Sequence, residues 1–252
     1  MKSRNLLVFT VCLLAVLLIV SLGLNCYLYH QGRLYYLQMN LLSLDPLGLD
    51  YYETASELQG PDTSDVMLVT FFGDSRAASW PAPEVGSFEF VNRGIGAQTS
   101  EQAALRFDYH VKPLDPDIII VQVGVNDLKT IPLFPERQES IISDCKGNIQ
   151  QIVERSTDLG AVVIVSTIFP IGEVPIERRP FWSDDVARAI NEVNAYIRSL
   201  EREGVIVFDA YSILADENGV TDSEYSRDLL HLNDAGYTRL NGELVQILMT
   251  IE

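Results

Sequence analysis

The chain opens on an unbroken apolar run and then settles into alternating blocks. Residues 6–24 are almost entirely apolar, and no Asp, Glu, Lys or Arg occurs between Arg4 and Arg33. A helix of roughly 20 such residues spans the hydrocarbon core of a bilayer, so a transmembrane helix is predicted there. Farther on, five short runs rich in β-branched and aromatic residues read as buried strands, at 66–72, 88–91, 118–123, 161–168 and 205–208. Helical spacing of apolar positions predicts helices over 100–111, 136–158 and 184–203. A last helix is predicted over 234–250, with Asn233 or Asp234 as its cap. Strands alternating with helices predict a parallel sheet covered on both faces. Such sheets bind ligands at the carboxyl ends of their strands.

The same pattern divides the chain. Residues 1–29 read as a cytoplasmic stub and transmembrane anchor, 30–63 as a juxtamembrane linker, and 64–252 as one α/β domain. An amphipathic helix is expected over 35–44, and Asp45-Pro46 and the polar run 60–65 read as turns. Lys2 and Arg4 precede the apolar run, which keeps the N-terminus in the cytoplasm and sends the domain to the other side. Tyr27, Tyr29, Tyr35 and Tyr36 follow it, as expected where a helix leaves the outer interface. The rival is a cleaved signal peptide, for which Ser21 and Gly23 supply small residues. The run continues past Gly23, which favours an uncleaved anchor. Asn25 stands before Cys26 where a lipoprotein needs a small residue.

Charge and cysteine content narrow the partners. The formal net charge is -17, and residues 1–33 hold no acid, so the acidity falls on the rest of the chain. Such a surface repels phosphate backbones, and nucleic acid is not an expected partner. The cysteines are Cys12, Cys26 and Cys145, with no CxxC or Cys/His metal spacing. No disulfide, metal or cofactor is expected.

Four short segments carry the candidate chemistry, each after a strand or before a helix. In the first, Gly73-Asp74-Ser75-Arg76 presents a serine directly after a buried strand. Alone, such a turn reads equally well as a helix N-cap. The second is the loop Asn92 to Ser100, whose Gly94 and Gly96 let backbone approach a ligand closely. The third, Gly124-Val125-Asn126-Asp127, places a side-chain amide at the same edge. The fourth is Asp228-Leu229-Leu230-His231, just before the last helix. Of the three histidines, His30 is juxtamembrane and His110 ends a helical pattern, so His231 is the one placed for proton transfer. An i, i+3 carboxylate can hold one ring nitrogen while the other faces a serine.

Taken together and in this order, the four segments resemble the SGNH (GDSL) hydrolase family, over roughly 67–237. The resemblance implies a flavodoxin-like three-layer α/β/α sandwich on a five-stranded parallel sheet. It implies Ser75 as nucleophile, His231 as general base and then acid, and Asp228 as its orienting partner. The oxyanion hole would combine the N–H of Ser75, the N–H of Ala97 or Gly96, and the Asn126 amide. Two positions depart from the usual pattern. Arg76 replaces a leucine and puts a charge near the site, which makes it a candidate substrate contact. Ala97 stands where many members have glycine.

The expected activity is that of an extracytoplasmic serine esterase on carboxylic esters, with acetyl groups on envelope glycans as the favoured substrate. An O-acyltransferase acting on envelope sugars, a lysophospholipase-like lipase and an inactive binding module are the rivals. The intact set of Ser75, Asn126, Asp228 and His231 argues against the last. The segment 170–182 is rich in bulky apolar residues and follows the fourth strand. If it overhangs Ser75, Phe181 and Trp182 would wall the pocket, and Arg178 and Arg179 would favour an anionic glycan or lipid head group.

Overall fold

A computed structural model of the protein describes residues 2–52 and 66–251; the expected domain start near 64 and the polar run 60–65 lie outside the described residues. The chain falls into two compact units, Met1–Pro46 and Leu47–Glu252.

The first unit is one helix, α1 (Lys2–Leu44), of 43 residues. At ~1.5 Å rise per residue it is roughly 65 Å long, about twice a hydrocarbon core. Its apolar side chains, Leu14 and Ile19 among them, are exposed. Its polar ones bond inward: Thr10 Oγ1 donates to Leu6 O at 2.9 Å and Asn25 Nδ2 to Ser21 O at 2.8 Å. Lipid can accept such polar side chains because their donors bond within the helix. By length and composition α1 can cross a membrane. The separate helix expected over 35–44 is the end of α1, because nothing between them breaks the helix; Gly32 alone costs only about 1 kcal/mol.

The second unit is a five-stranded sheet of β1 (Met67–Gly73), β2 (Phe88–Gly94), β3 (Ile118–Gln122), β4 (Val162–Ser166) and β5 (Val205–Phe208). The order is β2-β1-β3-β4-β5, and every pairing is parallel. This is the flavodoxin-like doubly wound order. The covering helices are α2 (Ser75–Ala78), α3 (Ser100–His110), α4 (Val125–Leu128), α5 (Gln138–Asp158), α6 (Asp185–Arg198), α7 (Ala210–Leu214) and α8 (Asp234–Ile251). β3 shows why the sheet needs both layers. All five of its residues are buried; Ile119 and Val121 face the core under α3, α5 and α6, and Ile118 and Ile120 face the core under α8. Each such side chain contributes roughly 1.5–3 kcal/mol.

The expected helix over 184–203 stops at Arg198, because the chain must turn through Gly204 (φ 77°) to enter β5. Asn233 caps α8, its Oδ1 accepting from Gly236 N at 3.0 Å.

Register gathers the motifs. Gly73 pairs with Gly94 on one side and with Gln122 on the other. The first three motif segments therefore leave the sheet from one rung at its carboxyl edge.

Candidate active site

The serine turn is built on a glycine that nothing else replaces. Gly73 has φ 147°, and a Cβ on it would lie 1.8 Å from Gln122 O. Asp74 then caps α2, its Oδ1 accepting from Arg76 N at 2.8 Å. Asp74 is fully buried, and burial pushes its carboxyl up to about 6 although the Arg76 charge and N–H pull it down. Ser75, half-buried, is the first residue of α2, so its N–H has no intrahelical acceptor.

Across from it stands His231. Ser75 Oγ lies 3.0 Å from His231 Nε2. On the far side of the ring, His231 Nδ1 lies 2.9 Å and 3.0 Å from the two Asp228 carboxylate oxygens. A carboxylate only accepts, so Nδ1 carries the proton and Nε2 is left to accept from the serine hydroxyl. Asp228 is itself held: Oδ1 accepts from Leu230 N at 2.9 Å and His231 N at 3.0 Å. Partial burial raises its carboxyl, but the Leu230 N–H, the His231 side chain and the His231 N–H together hold it below the usual range.

The loop after β2 lies against Ser75. A Cβ on Gly96 would lie 3.9 Å from Ser75 Cβ, so this loop abuts the serine. Ala97 next to it has φ 64°, in the left-handed region. Among the described residues neither N–H is taken up by a hydrogen bond. Asn126 Nδ2 spends one hydrogen on Gln98 O at 2.9 Å, and its Oδ1 accepts from Lys129 Nζ at 2.5 Å. The second amide hydrogen remains. Asp127 ties this turn to α3, its Oδ2 accepting from Ser100 N at 2.8 Å and its Oδ1 from Ser100 Oγ at 2.7 Å.

The peripheral expectations fare differently. Arg76 is 1% exposed, and its guanidinium donates to three backbone carbonyls. Buried on these carbonyls, the side chain is turned into the domain rather than out toward a substrate. Trp182 packs half-buried against the core under α5 and α6, and Phe181 is 63% exposed. Among the described residues neither makes a hydrogen bond or ring contact to Ser75, Asn126 or His231.

A profile of the GDSL-like lipase/acylhydrolase family matches residues 61–239. The chain belongs to this family. The family is described as one of lipases and acylhydrolases, enzymes that act on ester bonds. It resembles a GDSL-like lipase of Bacteroides thetaiotaomicron, with TM-score 0.63 and 20% identity over 82% of this chain and 99% of that one. It also resembles an acetylxylan esterase of Geobacillus stearothermophilus, with TM-score 0.57 and 17% identity over 71% of this chain and 93% of that one. At these identities the likeness is one of fold. Among curated relatives, an N-acylneuraminate cytidylyltransferase of Escherichia coli is 24% identical over 188 residues, 71% of this chain and 40% of its own. The chain spans less than half the length of the curated relatives it matches.

Three residues of this GDSL site escaped sequence reasoning. Lys129 stands three residues after Asn126, a helical spacing that was open to notice. Gln98 and Arg106 join the oxyanion loop to the serine turn: Arg106 Nε donates to Gln98 Oε1 at 2.5 Å and Arg106 Nη2 to Gly73 O at 2.9 Å. No local signal marks them.

Proposed function

We propose that Ser75, His231 and Asp228 form the catalytic triad of an esterase that removes short acyl groups, acetyl above all, from envelope glycans. The 3.0 Å approach of Ser75 Oγ to His231 Nε2, with Asp228 behind the ring, carries this reading. His231 takes the hydroxyl proton as Oγ attacks the ester carbonyl carbon. The oxyanion is held by the N–H of Ser75, the N–H of Ala97 or Gly96, and Asn126 Nδ2. The C–O bond then breaks and His231 protonates the departing alcohol. Water, losing its proton to His231, attacks the acyl-enzyme and releases the carboxylic acid.

The glycan and the location extend the reading. Acetylxylan esterase is the named activity of a fold neighbour, which supports an acetylated sugar as substrate. Exposed Phe181 and the adjacent Arg178 would flank it. Lys2 and Arg4 in the first turn of α1, ahead of its apolar run, support a single-pass anchor with the domain outside the cytoplasm.

The test is a chain-length series of chromogenic esters on the full chain and on Ser75→Ala. Wild type should prefer acetate, and Ser75→Ala should lose turnover. Wild-type rates in Ser75→Ala would remove the serine from the mechanism. Faster cleavage of long chains would replace the deacetylase with a lipase. A periplasm-dependent reporter fused after Glu252 should be active; an inactive one would reverse the topology.

A further inference from the structure

Arg76 follows Ser75, and Leu230 precedes His231. The two inner residues are joined as the two outer ones are. Arg76 Nε donates to Leu230 O at 2.7 Å, beside the 3.0 Å contact of Ser75 Oγ with His231 Nε2. Arg76 Nη1 donates to Phe169 O at 3.0 Å and Nη2 to Pro170 O at 3.3 Å. The guanidinium also lies 5.2 Å from the centre of the Phe169 ring.

A buried charge is costly unless its donors are satisfied, so a guanidinium 1% exposed is held by what it binds. No carboxylate forms a salt bridge with it among the described residues; its partners are backbone carbonyls from two other segments. Those segments also hold each other. Gly172 N donates to Leu229 O at 2.8 Å, and Thr221 Oγ1 to Pro170 O at 2.9 Å. On the other side, the Tyr237 hydroxyl of α8 donates to Arg76 O at 3.0 Å. The serine turn, the segment after β4 and the histidine segment thus meet on one side chain. The histidine segment needs such a brace, because it is a loop and Asp228 within it is exposed.

We propose that Arg76 is a positioning residue that registers the His231 segment against Ser75, a role no aliphatic side chain can fill. The inference rests on the triad reading above. It acts through geometry: Arg76 touches neither substrate nor the reacting atoms, yet it sets where Nε2 stands relative to Oγ. A displacement of about 1 Å at such a contact costs on the order of 100-fold in rate.

The experiment uses the full chain in detergent micelles with a chromogenic acetate. Arg76→Leu should lower kcat by ~100-fold and leave KM within about threefold. Labelling of Ser75 by a fluorophosphonate, which needs the same base, should slow in parallel per folded molecule. Arg76→Lys, which can satisfy one carbonyl but not three, should recover part of the loss. Wild-type kcat in folded Arg76→Leu would overturn the proposal. So would a loss that only tracks the folded fraction, with the remaining folded molecules labelled at the wild-type rate. If Arg76→Leu does not fold, Arg76→Lys decides: kcat down by about tenfold or more at unchanged KM supports positioning, and wild-type kcat rejects it. Ser75→Ala separates the two readings. If it retains wild-type hydrolysis the triad reading fails; if it is inactive while folded Arg76→Leu is fully active, only this inference fails.

Discussion

Lys129, which caps the C-terminus of α4, places its Nζ 2.5 Å from Asn126 Oδ1, three residues back. The bond fixes which end of the amide is oxygen and leaves Nδ2 to donate to Gln98 O. An ammonium on the carbonyl oxygen also draws electron density from the amide, which makes its N–H a better donor. Burial lowers the Lys129 pKa and Arg178 lowers it further, while the nearby Asp74 raises it. Asn126→Ala should cost ~100- to 1,000-fold in kcat as a lost oxyanion donor. Lys129→Met should cost about tenfold, with KM little changed, since the amide stays but is free to flip. Wild-type kcat in Lys129→Met would make the lysine a bystander.

Ala97 sits at φ 64° beside the serine. An alanine there carries a steric cost of roughly 1–2 kcal/mol, partly offset because alanine restricts the unfolded chain more than glycine does. Ala97→Gly should therefore raise stability by up to about 1 kcal/mol and leave turnover in place, as measured by chemical denaturation and kcat. A destabilised Ala97→Gly would mean that the methyl packs usefully and that no strain is stored at this turn.

How far the sequence led is clearest at the paired rung of Gly73, Gly94 and Gln122. All five strands and their parallel arrangement were legible, because a buried parallel strand is a short run of apolar residues and little else. Ser75, Asn126, Asp228 and His231 stand out in the sequence because each lies just after a strand or just before a helix, and the fold brings Ser75, His231 and Asp228 into hydrogen-bonding reach. What stayed hidden depends on distance in space. The sequence suggests Arg76 as a substrate contact near the site, since nothing in Gly-Asp-Ser-Arg reveals that carbonyls of Phe169, Pro170 and Leu230 receive it inside the domain. Gln98 contacts Leu47, Arg106 and Asn126 from three separate segments, and no spacing rule connects them.

Asp74 gives a pH signature. Its folded carboxyl titrates at about 6 against an ordinary 3.8, because burial disfavours the charged form. Between those values the folded state binds more protons than the unfolded state, so this group's contribution to stability falls as pH rises. The loss is complete above about 6 and amounts to about 3 kcal/mol. Asp74→Asn keeps an acceptor for Arg76 N and cannot titrate. Measured against wild type, its relative stability should therefore climb between pH 4 and 6 and level off above. A difference that stays flat across that window would show that Asp74 is not the titrating group.

The segment 47–52 lies ahead of the residues matched by the GDSL profile, yet it is fastened to the loop that carries Gly96 and Ala97. Gln98 Nε2 donates to Leu47 O at 2.8 Å. His110 accepts from Arg106 at Nδ1, which leaves Nε2–H to donate to Leu49 O at 3.2 Å. The Tyr52 hydroxyl donates to Gly94 O, and the Arg93 guanidinium lies 4.7 Å from the centre of the Tyr52 ring. Gly48, at φ 68°, lies so close to Ile95 that a Cβ would approach its Cδ1 to 2.9 Å. Three hydrogen bonds at about 1 kcal/mol each give this strap roughly 3 kcal/mol, or about 6–12 °C in a domain of this size. A fragment beginning at residue 64 should melt lower than one beginning at 47 by about that much. It should also turn over acetate more slowly, because the strap holds the backbone donors beside Ser75. Gly48→Val in the full chain should reproduce part of the kinetic loss by pushing on Ile95. Equal melting and equal turnover of the two fragments would reduce the strap to a passive link between the helix and the domain.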